Sequence, residues 1–233
     1  MTGFHKEIKS RLATIYPHII VTSQMFISET IFAQNKNVVS YSPFIYSQAI
    51  LKYGDKVYSA VVKGISYNTE IKVVHIDKII KWSTDKISSR NSKFIILGKE
   101  MAKNLGVGFN DEIVMILPTT VITPFGNLPL TEKFIVKGIL SSGIYEYDNN
   151  LCIIDYELAT KLFFDKSNRK LEGVTGFGIK LKNENMLEQT IIELKNQLGP
   201  FTKVVSWVEL NSNLFTALKL EKIMMIIVVS LII

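Results

Sequence analysis

Three histidines and one cysteine are the side chains here best suited to nucleophilic, acid–base or zinc chemistry, and their spacing does not assemble a site. His5, His18 and His75 share no H-x-x-x-H or H-E-x-x-H spacing. His5 lies among charges, His18 opens an apolar stretch and His75 sits between Val74 and Ile76, so each reads as structural or solvent-facing. Cys152 stands between Leu151 and Ile153, the setting of an inert core thiol. As the single cysteine it forms no internal disulfide and excludes thiolate metal sites. Gly98-Lys99 has the ending of a phosphate loop, but residues 91–97 hold no glycine and Glu100 stands where Ser or Thr would bind magnesium. There is no G-x-S-x-G elbow. Acidic residues cluster only at Glu146-Tyr147-Asp148, which reads as a polar turn. No catalytic residue, metal ligand or cofactor is expected, and the chain reads as a non-enzyme.

Composition narrows the classes further. Hydrophobic residues make up 47% and charged residues 21% of the 233, which excludes disorder. The net charge of +6 is spread singly among acidic neighbours, as in Lys6-Glu7 and Glu132-Lys133, so nucleic acid is not an expected partner. From Ile223 to Ile233 only Ser230 is polar. Two arrangements fit this run: a buried terminal element, or the start of a transmembrane helix, which needs roughly 20 apolar residues. A run apolar on every side suits the second better, and Lys219 and Lys222 precede it as flanking cations. Met1-Thr-Gly-Phe-His-Lys-Glu7 has no apolar stretch of signal-peptide type.

The elements follow from periodicity. Phe4, Ile8, Leu12 and Ile15 recur at helical spacing up to Pro17, and His18–Ser23 is a strand. A helix is expected from Ser28 to Gln34, a strand from Asn37 to Tyr53 with a bend at Pro43, and another from Lys56 to Ser66. Near the other end, Gly176–Leu181 alternates as a strand, Glu184–Leu198 as a helix closed by Gly199-Pro200, and Thr202–Trp207 as a strand. Two strand–helix–strand units therefore bracket a centre of shorter strands at Phe94–Leu97, Asp111–Leu117, Phe134–Leu140 and Leu151–Asp155. Helices are expected there at Gly98–Leu105 and Tyr156–Phe164, and residues 68–92 read as polar and irregular. The expected class is α+β: an α/β part from 1–62 and 175–210, an inserted mostly-β part from 63–174, and at 211–233 an amphipathic helix running into the apolar terminus.

One segment stands out. Pro118-Thr119-Thr120-Val121-Ile122-Thr123-Pro124-Phe125-Gly126-Asn127-Leu128-Pro129 carries three of the six prolines and no charge. Prolines withhold ladder donors, so a connector is expected, with Phe125-Gly126-Asn127 as its turn. Two readings fit: a loop folded back on its own core, or a stiff protrusion whose apolar side chains enter a partner.

Read in order, several stretches resemble the extracytoplasmic domain of the lipoprotein-releasing permeases LolC and LolE, within the MacB-like permeases. They are Met1-Thr-Gly-Phe4, Pro17-His-Ile-Ile20, Gly98-Lys-Glu-Met-Ala102, Leu105-Gly-Val107, Gly138-Ile139, Gly143-Ile-Tyr-Glu-Tyr-Asp148 and Asn213–Met225. The resemblance implies a porter-like α/β part with an inserted sabre-like β part, in the periplasm on the inner membrane. It implies that residues 118–129 look like the Hook with which LolC-like members grip LolA, the periplasmic lipoprotein carrier. The partners implied are that carrier, a lipoprotein substrate, a LolD-like ATPase subunit that hydrolyses ATP, and a second permease subunit or a second copy. Two departures stand beside it: the segment is about one residue shorter than the family pattern, and Val114-Met-Ile-Leu117 is apolar where an arginine is expected. The alternative is a MacB- or FtsX-like permease for efflux or cell-wall hydrolase regulation; an enzyme with a concealed pocket is the rival of another class.

Overall fold

A computed structural model describes residues 15–23, 27–83, 93–123, 126–165, 170–171 and 174–212, together with 216, 220, 223, 224 and 230. The helix expected before Pro17 lies almost wholly outside the described residues, as does most of 211–233. Residues 216, 220, 223, 224 and 230 are helical and exposed. Among the described residues, no helix is long and apolar enough to cross a membrane.

Two strand–helix–strand units interleave at one end of the sheet. The first is β1 (Ile19–Ser23), α1 (Thr30–Gln34) and β2 (Val38–Tyr53). The second is β11 (Val174–Leu181), α6 (Leu187–Leu198) and β12 (Thr202–Ser206). Their order is β12-β1-β11-β2, with every neighbouring pair antiparallel. The strands of one unit are thus separated by a strand of the other, the split β-α-β arrangement. Between β2 and β11 the chain inserts the rest. This comprises β3 (Lys56–Ile65), α2 (Tyr67–Val73), β4 (Ile80–Trp82), β5 (Phe94–Gly98), α3 (Lys99–Leu105), β6 (Glu112–Thr123) and β7 (Gly126–Leu140). It continues with α4 (Tyr145–Asn150), β8 (Leu151–Asp155), α5 (Tyr156–Phe163), β9 (Phe164–Asp165) and β10 (Lys170–Leu171). The sheet runs on through it as β2-β3-β8-β5-β7-β4, with β6 pairing both β2 and β7. The α+β class expected from the sequence is borne out: helices and strands are mixed in one sheet-rich fold.

Strand alternation sorts the core onto two faces. Ile95, Leu97, Cys152 and Ile154 enter one cluster with Met101 and Leu105 of α3 and Phe163 of α5. Their neighbours Ile96, Leu151 and Ile153 enter another, covered by Val73, Val74 and Ile76. A third packs Ile19, Val21, Ile179 and Val204 under Phe32 of α1 and Leu194 of α6. Helix ends follow ordinary capping. The Asp155 carboxylate accepts from the N–H groups of Glu157 (2.9 Å) and Leu158 (3.2 Å) to start α5. Gly106, in the left-handed region at φ 77°, closes α3.

The structure revises several local expectations. Residues 68–82 are not irregular: α2, a 3-10 turn at Ile76–Lys78 and β4 follow in quick succession, with Val73, Val74, Ile76 and Ile80 buried. Each piece is too short to show a period before the next begins. Glu146-Tyr147-Asp148 is no polar turn but part of α4, with Asp148 5% exposed. β2 continues through Pro43, which lies where β11 alone flanks it, because β3 joins only from Phe44 onward.

Candidate docking site

The segment from Pro118 to Pro129 is not a connector. It forms the ends of β6 and β7, which pair from Glu112↔Ile135 to Ile116↔Thr131 and again from Thr120↔Pro129 to Thr123↔Gly126. The register shift between the two runs leaves Leu117, Pro118 and Thr119 opposite Leu130 alone. Pro118 therefore stands in a bulge, where no ladder donor is missed. Counting the alternation of an antiparallel ladder back from the closing pair Thr123↔Gly126 puts Pro129 at a non-hydrogen-bonded position. Gly126 and Asn127 of the expected turn lie inside the ladder, paired with Thr123 and Ile122, while Phe125 lies outside the described residues. Gly126 opens β7 at φ 115°, a conformation side chains rarely adopt.

Among the described residues, no third strand pairs with this stretch. β2 pairs with β6 only from Val114 to Ile116, and β5 pairs with β7 only from Ile135 onward. Beyond that the two strands continue as a ribbon, whose four outer pairs span about 10 Å. Burial changes at the same point. Met115, Leu117 and Phe134 are at most 2% exposed, while Pro118, Gly126 and Pro129 are exposed and Leu128 is 53% exposed. The ribbon is thus rooted by core side chains, and ion pairs flank the root. Lys133 Nζ donates to Glu112 Oε1 at 2.7 Å and Lys93 pairs with Glu132. The hydrogen bond to Glu112 raises the pKa of Lys133, but so exposed a pair adds little stability. Of the remaining candidates, Thr119, Thr120, Val121, Ile122, Thr123 and Asn127 are placed by backbone alone, and Pro124 and Phe125 lie outside the described residues.

The groups considered for chemistry stay apart. Cys152 is fully buried, and burial pushes its thiol far above the ordinary range. His75 is exposed and His5 lies outside the described residues. Among the described residues, no group of three or more His, Cys, Asp or Glu could hold a metal ion. His18 is structural: its Nδ1 accepts the backbone N–H of Leu181 at 3.0 Å, so the ring proton sits on Nε2, 3.2 Å from Glu184 Oε1. Burial lowers its pKa, outweighing the opposite pull of Glu184, and Lys180 lowers it further. The folded state therefore binds this proton less readily than the unfolded chain. The stability it contributes is present above the ordinary value of 6.5 and is lost as pH falls through the lower folded value. Unfolding midpoints measured from pH 7.5 down to 5 are expected to drop, and His18→Asn, which keeps an acceptor for Leu181, is expected to flatten that drop.

Sequence comparison covers the whole chain. No protein-family model matches it. It is 32% identical over 240 residues to the lipoprotein-releasing system transmembrane protein LolC of Xylella fastidiosa (strain Temecula1 / ATCC 700964). That match takes in 100% of the chain and 56% of the relative. It is 30% identical over 244 residues to LolC of Neisseria meningitidis serogroup B, with 100% and 57% covered. Similarity to LolE of Haemophilus influenzae is 26% over 130 residues, half of the chain. The chain thus spans about half the length of the curated relatives it matches. In fold it is similar to the periplasmic region of MacB from Actinobacillus actinomycetemcomitans, with a TM-score of 0.50, 12% identity, and 88% of this chain and 94% of that one covered. The extracellular domain of the ABC-type transporter YknZ also gives 0.50 at 12% identity, covering 81% of this chain and 99% of that one. By sequence, the chain is a relative, from end to end, of one region of the LolC lipoprotein-releasing transmembrane proteins, on the fold of the MacB periplasmic region.

Proposed function

We propose that the chain is the periplasmic domain of an inner-membrane ABC permease that releases lipoproteins, and that residues 118–129 dock the periplasmic carrier that receives them. The carrying observation is the ribbon: two strands with no third beside them among the described residues, braced by prolines, exposing Leu128. Such a ribbon loses little conformational freedom on binding. The ends of the fold support the membrane placement. Ile19 and Ser206 are paired neighbours, and the Trp207 N–H donates to the His18 carbonyl at 3.4 Å, so the chain enters and leaves side by side. That suits a domain hung between two adjacent spans, the second beginning within 211–233. In this reading 1–62 with 175–210 is the porter-like part, and 63–174 carries the ribbon. ATP hydrolysis belongs to a separate LolD-like subunit, and a second permease subunit or second copy completes the transporter.

Direct hand-over matters because each methylene of an acyl chain left in water costs about 0.8 kcal/mol. The test is capture of a purified LolA-like carrier by the domain with 118–129 replaced by a Gly-Ser linker of equal length. Capture is expected to be lost while the thermal midpoint is kept. Undiminished capture rejects docking through the ribbon and favours the MacB- or FtsX-like reading, in which no lipoprotein carrier binds there.

A further inference from the structure

The incoming and outgoing ends of the chain lie side by side yet rest on different parts of the fold. After β12 the chain forms α7 (Trp207–Leu210), which packs on β12, with Trp207 5% exposed. Val208 and Glu209 face Ile191 and Ile192 of α6 across an open groove. The incoming residues instead cross to the opposite face of the sheet. Pro17 is buried against the bare backbone of Gly178, where an added Cβ would lie 3.1 Å from the proline ring. Ile15 is 8% exposed and helps to enclose a cavity of about 20 Å³ lined also by Lys63, Val74, Tyr147 and Leu151. Tyr16 meets Tyr147 of α4 edge-on, with ring centroids 5.4 Å apart at 76°.

Beneath this roof lies a buried ion pair. Lys63 Nζ and Glu70 Oε1 are 2.7 Å apart, with side chains 10% and 3% exposed. A charge pair taken out of water regains hydration when its cover opens, so it favours opening where an apolar pair would resist it.

We propose that Tyr16, seated on Tyr147, locks the incoming chain to the inserted region over the Lys63–Glu70 pair, so that displacing this segment loosens α2 and α4 before it disturbs β12 and α6. The lock concerns the fold and stands whether or not the ribbon docks a carrier.

Hydrogen exchange on the full chain tests it. Tyr16→Leu is expected to speed exchange of the α2 and α4 amides several-fold and to leave β12 and α6 unchanged. Val208→Ala, on the outgoing side, is expected to do neither to α2 nor to α4. Lys63→Met with Glu70→Leu, which removes the gain from hydration, is expected to slow opening at α2 and α4. A Tyr16→Leu, Tyr147→Leu double-mutant cycle is expected to show a coupling of about two- to tenfold in the unfolding equilibrium constant. Additive effects in the cycle, or Tyr16→Leu exchange that is unchanged at α2 and α4 or raised equally everywhere, overturn the proposal.

Discussion

Glu70→Leu alone is expected to destabilise the fold by about 3–5 kcal/mol, because it leaves Lys63 buried without its partner. Lys63 sits near the end of β3, directly opposite Tyr46 of β2, with its ammonium 5.7 Å from the Tyr46 ring and 5.8 Å from that of Phe44. Burial pulls its pKa down, but Glu70 and Tyr46 together more than reverse this, so the net shift is upward. With Glu70 present the lysine therefore keeps its proton near neutrality; Glu70→Leu removes the larger of the two groups that hold it there and leaves burial pulling the other way. Tyr46 moves the other way from its partner's help: burial raises its pKa, and the tyrosine stays protonated. Replacing both members, Lys63→Met with Glu70→Leu, is expected to recover most of the loss, since well-packed apolar residues often match or exceed a buried pair. Urea unfolding at pH 7 measures both. If the single substitution costs under about 1 kcal/mol, the pair is hydrated in solution and the sealed roof is wrong.

Gly98→Ala is the second large effect. Gly98 has ordinary extended angles, φ −61° and ψ 144°, so backbone strain is not the issue. Space is: an added Cβ would fall 2.2 Å from the carbonyl oxygen and 2.7 Å from the carbonyl carbon of Asp148. Both are backbone atoms of a residue that is held on its other side. The Asp148 carboxylate accepts the N–H of Ser142 at 2.7 Å and of Gly143 at 3.2 Å. The methyl must therefore displace α4 or α3, at an expected cost of about 1–3 kcal/mol. Gly108→Ala serves as the control, because its Cβ would meet only Asp111 Oδ2, at 3.9 Å. It is expected to stay within about 0.5 kcal/mol of the parent. Equal midpoints for the two variants would show that α4 yields freely.

Gly98 and Asp148 also explain two of the stretches that carried the family resemblance. Gly98-Lys-Glu-Met-Ala102 and Gly143–Asp148 are far apart in the chain but touch in the fold, and their shared task is packing rather than phosphate binding. The sequence alone excluded a phosphate loop there, since Glu100 would repel the ligand. It had no means of showing that the missing side chain of Gly98 makes room for a carbonyl from residue 148.

What the sequence by itself determined is what depends on neighbours along the chain. Residues 19–22 are rich in β-branched side chains, so β1 was legible as a strand, and the apolar spacing of α6 was equally local. The segment 118–129 was legible as unusual for the same reason: its prolines and lack of charge are properties of the chain. Tertiary structure decided the rest. Pro118 fits a bulge and Pro129 a non-hydrogen-bonded position only because β6 and β7 shift register after Ile116, and register between strands is set by pairing, not by either strand. Lys63, Glu70 and Asp148 look like surface residues in the sequence. Each is buried because a partner a few residues away supplies its hydrogen bonds, and only the way the intervening chain folds brings the two together.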